Sequence, residues 1–214
     1  MANSNVSFGL KPIGILGAAP YSSGVTEYRI ASDNSNPIFQ GMAVIPLAAG
    51  VIDDLQAAAG GNVGIAGVFN GCEYVSSTTG ERIFSNFWPG SGADSNFPVK
   101  AFLYDNPNQL FTVCTSNVVS AANTEAEIRA AVFANIAFAT GNSGSTTTGI
   151  STATADLNTI ATTNTLALRI MGIQEDPENS DFTAAGIPLI VRINNHFNAP
   201  TGSIAAGTVS TTGV

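Results

Sequence analysis

Charged residues are scarce in this chain of 214 residues: they make up 10% of it, and only two are lysines. Soluble domains usually carry about 25% charged residues, which keep a freely diffusing surface hydrated. The seven basic residues form no run, which argues against direct binding of nucleic acid. Because so little charge protects the surface, we expect part of it to be covered by other proteins.

The residues that most often build catalytic and metal sites are equally scarce. The chain has one histidine, His196, and two widely spaced cysteines, Cys72 and Cys114. A zinc site or a disulfide framework needs more such residues at closer spacing, so we expect no metal, no cofactor and two buried free thiols. His196 lies at the end of a predicted strand, where a polar residue without a catalytic role is the simplest interpretation.

Long hydrophobic runs are missing from the sequence. No apolar stretch approaches the roughly 18 residues that a membrane-spanning helix needs, so we predict no membrane partner. The N-terminal residues lack the basic-then-apolar pattern of a signal peptide, which predicts assembly in a reducing cytoplasm. Hydrophobic residues nevertheless make up 44% of the chain, enough for a folded core.

Acidic residues offer two candidates for chemistry. Asp53, Asp54 and Asp105 could supply the carboxylates of a small hydrolase. The turn at 175–181 carries four carboxylates that could bind calcium, although it lacks the spacing and the glycine of an EF-hand loop. A solvated turn and a non-enzymatic protein are the simpler interpretations, and cation binding by the turn stays open.

Short alternating segments separated by turns dominate the chain and predict a mainly β fold. Pro46 makes one of these segments an edge strand, and Gly67 and Gly71 indicate that another is bulged. We predict a single β-barrel or β-sandwich body over residues 25–198. The clearest strand patterns lie at 27–30, 42–47, 65–74, 166–173 and 188–197.

Two hairpins are predicted from turn residues. Residues 77–80 join a strand to its neighbour at 81–84. Asn106 and Pro107 turn the chain between alternating segments at 99–104 and 110–115, which we predict to pair with each other.

Helical signals are few. Residues 51–60 could form one or two helical turns. The best candidate begins at Thr124, where Thr124 and Glu127 form a capping box, and runs to about Val132 before a strand begins. The Ser/Thr/Gly-rich stretch at 140–165 is predicted to be an exposed loop that leads into an edge strand.

A group of aromatic residues allows two interpretations. Phe84, Phe87, Trp88 and Phe97 lie close in sequence, beside a proline and a glycine. They could form a binding patch, since aromatic residues concentrate at interfaces. A corner of the core is the interpretation that we favour.

Both ends of the chain are predicted to be extended arms, over 1–24 and 199–214. Their Gly, Ala, Ser and Thr residues alternate irregularly with apolar ones, which suits segments that order against another surface. The apolar side chains that we expect to anchor the arms are Phe8, Leu10, Ile13 and Ile204.

An ordered set of short motifs resembles a family of structural proteins encoded by marine tailed phages and prophages. The set covers roughly residues 8–197, most of the chain. The family has no catalytic residues to carry over. The motifs, in order, are FGLKPIG at 8–14, GVFNGCEY at 67–74, FWP at 87–89, YDNP at 104–107, TTTGIS at 146–151, QEDPEN at 174–179 and RINNH at 192–196.

This resemblance implies a virion structural role, most specifically that of a capsid decoration (cement) protein. Such a protein would bind the major capsid protein at the capsid surface, assemble as a homo-oligomer in the host bacterial cytoplasm and need no cofactor. The four arm residues would be its capsid contacts. Another virion component (a head fibre, a tail component or a major capsid protein) and a carbohydrate-binding β-domain remain alternatives.

Overall fold

The computed structural model describes residues 3–4, 6–17, 24–55, 64–116, 124–141 and 143–199. Their elements are, in chain order, β1 (Lys11–Ile15), β2 (Thr26–Ile30), β3 (Ile38–Phe39), β4 (Ala43–Pro46), β5 (Ile52–Asp54), β6 (Gly67–Val75), β7 (Arg82–Ser85), β8 (Phe87–Trp88), β9 (Val99–Tyr104), β10 (Gln109–Cys114), α1 (Glu125–Ala130), β11 (Asn135–Thr140), β12 (Thr154–Ala161), β13 (Leu168–Ile173), a 3-10 helix (Pro177–Asn179) and β14 (Pro188–Ile193).

Five strands close into a barrel. β4, β5, β2, β9 and β6 follow one another, and β4 then pairs back onto β6 through Ala43–Val68 and Val44–Gly67. The barrel interior is apolar and includes the fully buried rings of Phe69 and Trp88. The mainly β class and the barrel predicted from the sequence are confirmed.

The second large sheet is open, with the order β1-β10-β14-β13-β11-β12. One face of it joins the outside of the barrel in a second core, which includes Ala43 and Val68 from the barrel and Phe111 and Val191 from the sheet. Alternation along a strand explains how β6 serves both cores: Val68 points toward the open sheet and Phe69 points into the barrel.

The prediction that residues 42–47 form an edge strand is wrong. β4 pairs with β5 on one side and with β6 on the other. Pro46 is the last residue of β4 and lies beyond the two residues that pair with β6. The proline therefore does not prevent closure of the barrel.

The helical turns considered for 51–60 are replaced by strand β5 over the part of that segment that the structure describes. Ile52 is buried in the barrel core, and Asp53 is buried beside it. Two side-chain amides, those of Asn34 and Asn36, donate to the Asp53 carboxylate at 2.8 and 3.2 Å. These tertiary hydrogen bonds hold the acidic residue in a buried strand, which local propensity cannot predict.

The predicted hairpin at 99–115 is also wrong, although its turn is present. The backbone N–H of Gln109 donates to the Asn106 carbonyl at 3.0 Å, and the Asn106 side chain accepts from Asn108 N at 2.8 Å. β9 then pairs with β2 and β6 in the barrel, whereas β10 pairs with β1 and β14 in the open sheet. Alternation shows which side chains share a face but not which strand lies alongside.

Other local predictions are confirmed. β6 has a register shift between Phe69 and Gly71, as expected for a bulged strand, and it forms a hairpin with β7. β12 is an edge strand of the open sheet. The capping box is present: Thr124 Oγ1 accepts from Glu127 N, and the Glu127 carboxylate accepts from Thr124 N.

The chain passes from α1 to β11 through a left-handed residue. Phe133 has a φ of 76°, which is unfavourable for a bulky side chain, and its ring is half-exposed. Its backbone N–H donates to the Ile170 carbonyl on β13 at 2.8 Å. The strand predicted from residue 133 therefore begins at Asn135, after this turn.

The described part of the predicted N-terminal arm packs on its own chain. β1 pairs with β10, and Leu10 is fully buried in the second core. Upstream, the Asn3 side chain donates to the carbonyls of Asp181 and Ala185. Apart from Ala199, the predicted C-terminal arm lies outside the described residues.

Candidate functional site

A cleft of about 780 Å³ opens between the N-terminal segment, the barrel and the open sheet. Its apolar wall includes Phe8 and Ile150. Its polar wall includes three amide side chains from distant parts of the sequence, Gln40, Asn70 and Gln174. Since these residues meet only through the packing of the two sheets, no sequence signal could have predicted them as one site.

Three of the four predicted capsid contacts line this cleft. Phe8 is partly buried, and Ile13 is 42% exposed. Leu10 is only 1% exposed because it belongs to the second core, so it is corrected from a surface anchor to a core residue. Ile204 lies outside the described residues.

His196 lies at the junction between the two sheets. Its backbone bridges to Ile65, and Ile65 N donates to the Asn195 carbonyl at 2.8 Å. The ring is 2% exposed; its Nδ1 accepts from Asn198 N at 3.1 Å, while Nε2 is buried without a hydrogen-bond partner. Burial lowers the pKa of His196 to about 4, a nearby Asp105 raises it, and Arg192 lowers it further.

Neither cysteine is placed to act with His196. Cys72 is in the barrel core, where its thiol donates to the Phe87 carbonyl at 3.4 Å. The Cys114 thiol donates to the Val6 carbonyl at 3.7 Å. Burial raises the pKa of both thiols to about 12, so both remain protonated. The prediction of two buried free thiols is confirmed.

The acidic residues considered for hydrolysis lie at opposite ends of β2. Ile30 of β2 pairs with Ile52, next to Asp53, whereas the Thr26 hydroxyl donates to Asp105 at 2.9 Å. Four strand residues span roughly 13 Å, more than the 5 to 10 Å that separates the two acids of a glycosidase. Asp105 is therefore not brought together with Asp53 as an acid–base pair.

The acidic turn holds two of its carboxylates in local hydrogen bonds. Asp176 accepts from Glu178 N at 3.1 Å and from the Asn179 side chain at 2.6 Å. Asp181 accepts from the backbone and the hydroxyl of Thr183, which lowers the pKa of Asp181. The described residues contain no group of three or more His, Cys, Asp or Glu side chains arranged to hold a metal ion.

The aromatic group separates into core and surface. Trp88 is fully buried, and its indole N–H donates to the Asn34 carbonyl at 3.2 Å. Phe87 is partly buried and packs against the barrel core. Phe84 and Phe97 are 70% and 50% exposed, so the interpretation of a core corner holds only for the first two.

A pair of arginines is the feature that sequence reasoning missed. Arg169 of β13 and Arg192 of β14 lie directly opposite each other on neighbouring strands. Both are partly buried, and they alternate with core residues such as Leu168 and Val191, so they belong to the face of the open sheet opposite the second core. Their pairing depends on strand register, which the sequence does not reveal.

The chain matches no protein-family model, no curated protein and no solved structure. Over the part of the chain that the structure describes, no helix combines the length and the apolar character needed to cross a membrane.

Proposed function

We propose that this chain is a non-enzymatic capsid decoration protein, which binds the major capsid protein lattice and stabilises the virion shell. The ordered motifs that resemble those of phage structural proteins support this proposal. In such a role the protein acts by binding alone: it stabilises the assembled lattice because it prefers the lattice over free capsid subunits.

One structural observation carries the proposal. The N-terminal segment is anchored to the body by buried Leu10, yet it presents apolar side chains outward on both sides of that anchor. Val6 is 76% exposed, Ile13 is 42% exposed and Leu16 is 41% exposed. Apolar side chains held in place before binding lose little conformational freedom on contact, which favours association.

Co-sedimentation with capsids that lack this protein tests the proposal. We expect saturable binding at a fixed ratio to the major capsid protein. An Ile13→Asp variant should bind on the order of tenfold more weakly, because a carboxylate would be buried against the capsid. Deletion of residues 1–12 is a poor test, since it would remove core residue Leu10 and part of β1.

The matched control is Leu47→Asp. Leu47 is 39% exposed, close to the exposure of Ile13, but lies in the turn between β4 and β5. It should bind capsids as the unaltered chain does. The decoration proposal would be rejected if the unaltered chain did not sediment with capsids, and the N-terminal contact would be rejected if Ile13→Asp bound normally. Recovery of the protein from tails or head fibres would support another virion role.

A further inference from the structure

The cleft contains side-chain amides whose hydrogen-bonding groups are only partly used. The Gln40 side chain donates to Asn70 Oδ1 at 3.1 Å, and the Thr112 hydroxyl donates to Gln174 Oε1 at 2.7 Å. The Asn70 Nδ2, the Gln174 Nε2 and the Gln40 Oε1 make no hydrogen bond with the described residues. Two amide donors and one carbonyl acceptor therefore remain for a ligand.

Two of these amides are anchored through both backbone and side chain. The backbone N–H of Gln40 donates to the Gly149 carbonyl at 2.9 Å, and its carbonyl accepts from Ser151 N at 2.8 Å. The backbone N–H of Gln174 donates to the Pro188 carbonyl at 3.0 Å. Because these residues are already held, they lose little conformational freedom when a ligand binds, which favours association.

The charges of the cleft favour a neutral ligand. Its described lining includes one cation, Lys11, and one anion, Asp176. The Asp176 carboxylate already accepts from Glu178 N and from the Asn179 side chain. Phosphates and other anions are usually bound by several cationic side chains together, which the described lining does not provide. An anionic ligand is therefore disfavoured.

Apolar ligands and extended peptides fit the cleft less well. An entirely apolar ligand would remove the amide groups from water without replacing their hydrogen bonds. Extended peptides usually pair with an exposed strand edge. The edge strand beside the cleft is β1, which contains Pro12, a residue without an N–H, and a register shift between Pro12 and Gly14. The polar contacts that the cleft offers therefore come from side chains.

A neutral sugar meets each of these conditions. Its hydroxyl groups both donate and accept hydrogen bonds, so they match the free donors and the free acceptor of the amides. The C–H face of a sugar ring can pack on the apolar wall, where Phe8 is partly buried and Ile150 is 39% exposed. The negatively polarised face of an aromatic ring attracts such C–H groups. The volume of about 780 Å³ is also ordinary for a ligand site.

We propose that the cleft binds a neutral oligosaccharide. Asn70, Gln174 and Gln40 supply the hydrogen bonds to its hydroxyl groups, and Phe8 packs against a sugar ring. This binding activity goes beyond capsid decoration and does not depend on it. On a particle that carries many copies of the chain, weak sites of this kind act together on a surface coated with glycans.

Isothermal titration calorimetry of the purified full chain tests the site. The probes are neutral di- and trisaccharides of glucose, mannose, galactose and N-acetylglucosamine, and we expect saturable binding of at least one of them. For that sugar, Asn70→Ala and Gln174→Ala should each weaken binding about tenfold, because each removes a hydrogen bond to a hydroxyl group. Phe8→Ala should weaken binding by about the same factor, since the sugar ring loses its aromatic contact.

Matched controls make the same changes outside the cleft. Asn158→Ala and Phe84→Ala alter exposed residues that do not line it, and both variants should bind the sugar as the unaltered chain does. Because Phe8 is partly buried, its variant could lose its fold; circular dichroism checks this. Gln174→Ala, at an exposed residue, then decides the result.

The outcomes separate this site from other ligands and from the decoration role. Binding of none of the sugars overturns the inference, and so does normal sugar binding by Asn70→Ala and Gln174→Ala. A synthetic peptide of residues 201–214 is the competing probe: if it binds and no sugar does, the cleft is a peptide site and the inference is wrong. Since these titrations use no capsids, their result is independent of co-sedimentation, and either proposal can fail alone.

Discussion

The barrel and the open sheet bury their apolar residues in different ways. The barrel surrounds its own core, in which Phe69, Leu103 and Trp88 are fully buried. The open sheet shares its core with other elements: Val191 and Leu189 are buried in a cluster that also includes Ile128 of α1 and Val68 on the outside of the barrel. The barrel therefore contributes residues to the second core, while none of the described residues of the open sheet belongs to the first.

The two regions also treat sheet edges differently. Closure of β4 onto β6 leaves no open edge among the five barrel strands. The open sheet ends in β1 and β12. β1 contains Pro12 and a register shift between Pro12 and Gly14, and β12 pairs irregularly with β11. Prolines and bulges discourage the pairing of further strands. The local sequence of its edge strands therefore limits such pairing in the open sheet, whereas closure limits it in the barrel.

The largest effect should come from Phe69→Ala. This change leaves a cavity inside the closed barrel, and truncating a buried aromatic side chain costs about 3 to 5 kcal/mol. The neighbouring Val68→Ala variant, which faces the second core, should lose less, about 2 kcal/mol. Urea unfolding measures both free energies, and hydrogen exchange measures which strands open.

This pair of neighbours tests the comparison directly. We expect Phe69→Ala to speed exchange in both sheets and Val68→Ala to speed it mainly in β10, β13 and β14. Phe84→Ala, at a 70% exposed ring on β7, is the control and should change stability by less than about 0.5 kcal/mol. Faster exchange confined to the barrel in Phe69→Ala would contradict the dependence of the open sheet on the barrel.

A smaller effect is expected when acid protonates His196, which lies where the barrel and the open sheet meet. The pKa of His196 is about 4 in the folded chain, below its ordinary value of 6.5. Its neutral form therefore stabilises the fold fully above pH 6.5, and this contribution is lost as the pH falls toward 4. The loss should reach about 2 to 3 kcal/mol, since each unit of pKa difference corresponds to about 1.4 kcal/mol.

His196→Asn separates this effect from that of the carboxylates, which also titrate in acid. Asparagine does not titrate, and its Oδ1 can accept from Asn198 N as the histidine Nδ1 does. Urea unfolding at pH 7 and at pH 4 should show a larger decrease for the unaltered chain than for the variant. Equal decreases would mean that His196 does not stay neutral at the junction.

The smallest effect should come from the cap of α1. Thr124→Ala removes the acceptor for Glu127 N and should lower the free energy of unfolding by about 1 kcal/mol. α1 inserts Ile128 into the second core, so exchange should increase next to β13 and not in the barrel. Thr147→Ala, at an exposed loop residue, serves as the control. If this variant lowered the free energy of unfolding by the same amount, the loss in Thr124→Ala could not be assigned to the cap.

Local features were predictable where the chemistry is local. The capping box at Thr124, the turn at Asn106 and the bulge of β6 each depend on a few residues close in sequence. Two of the failures share one cause: the sequence predicts β4 as an edge strand and β9 and β10 as partners, whereas strand neighbours are chosen by long-range packing.

The candidate site was predictable only in part. The sequence predicts Ile13 and Phe8 as contacts from their place in an apolar N-terminal segment, and both line the cleft, but the same reasoning includes Leu10, which the second core buries. The amide side chains of the cleft and the opposed arginines were not found, since they come from segments far apart in the sequence.

The sequence by itself determined the mainly β class, some of the places where the chain turns and the apolar face of alternating strands such as β9 and β14. These follow from φ preferences and from the two-residue period of a strand. Tertiary structure alone decided that one set of strands closes and the other stays open, and that Arg169 faces Arg192. The physical reason is that strand pairing and register are fixed by how two shared cores fill, which no single segment encodes.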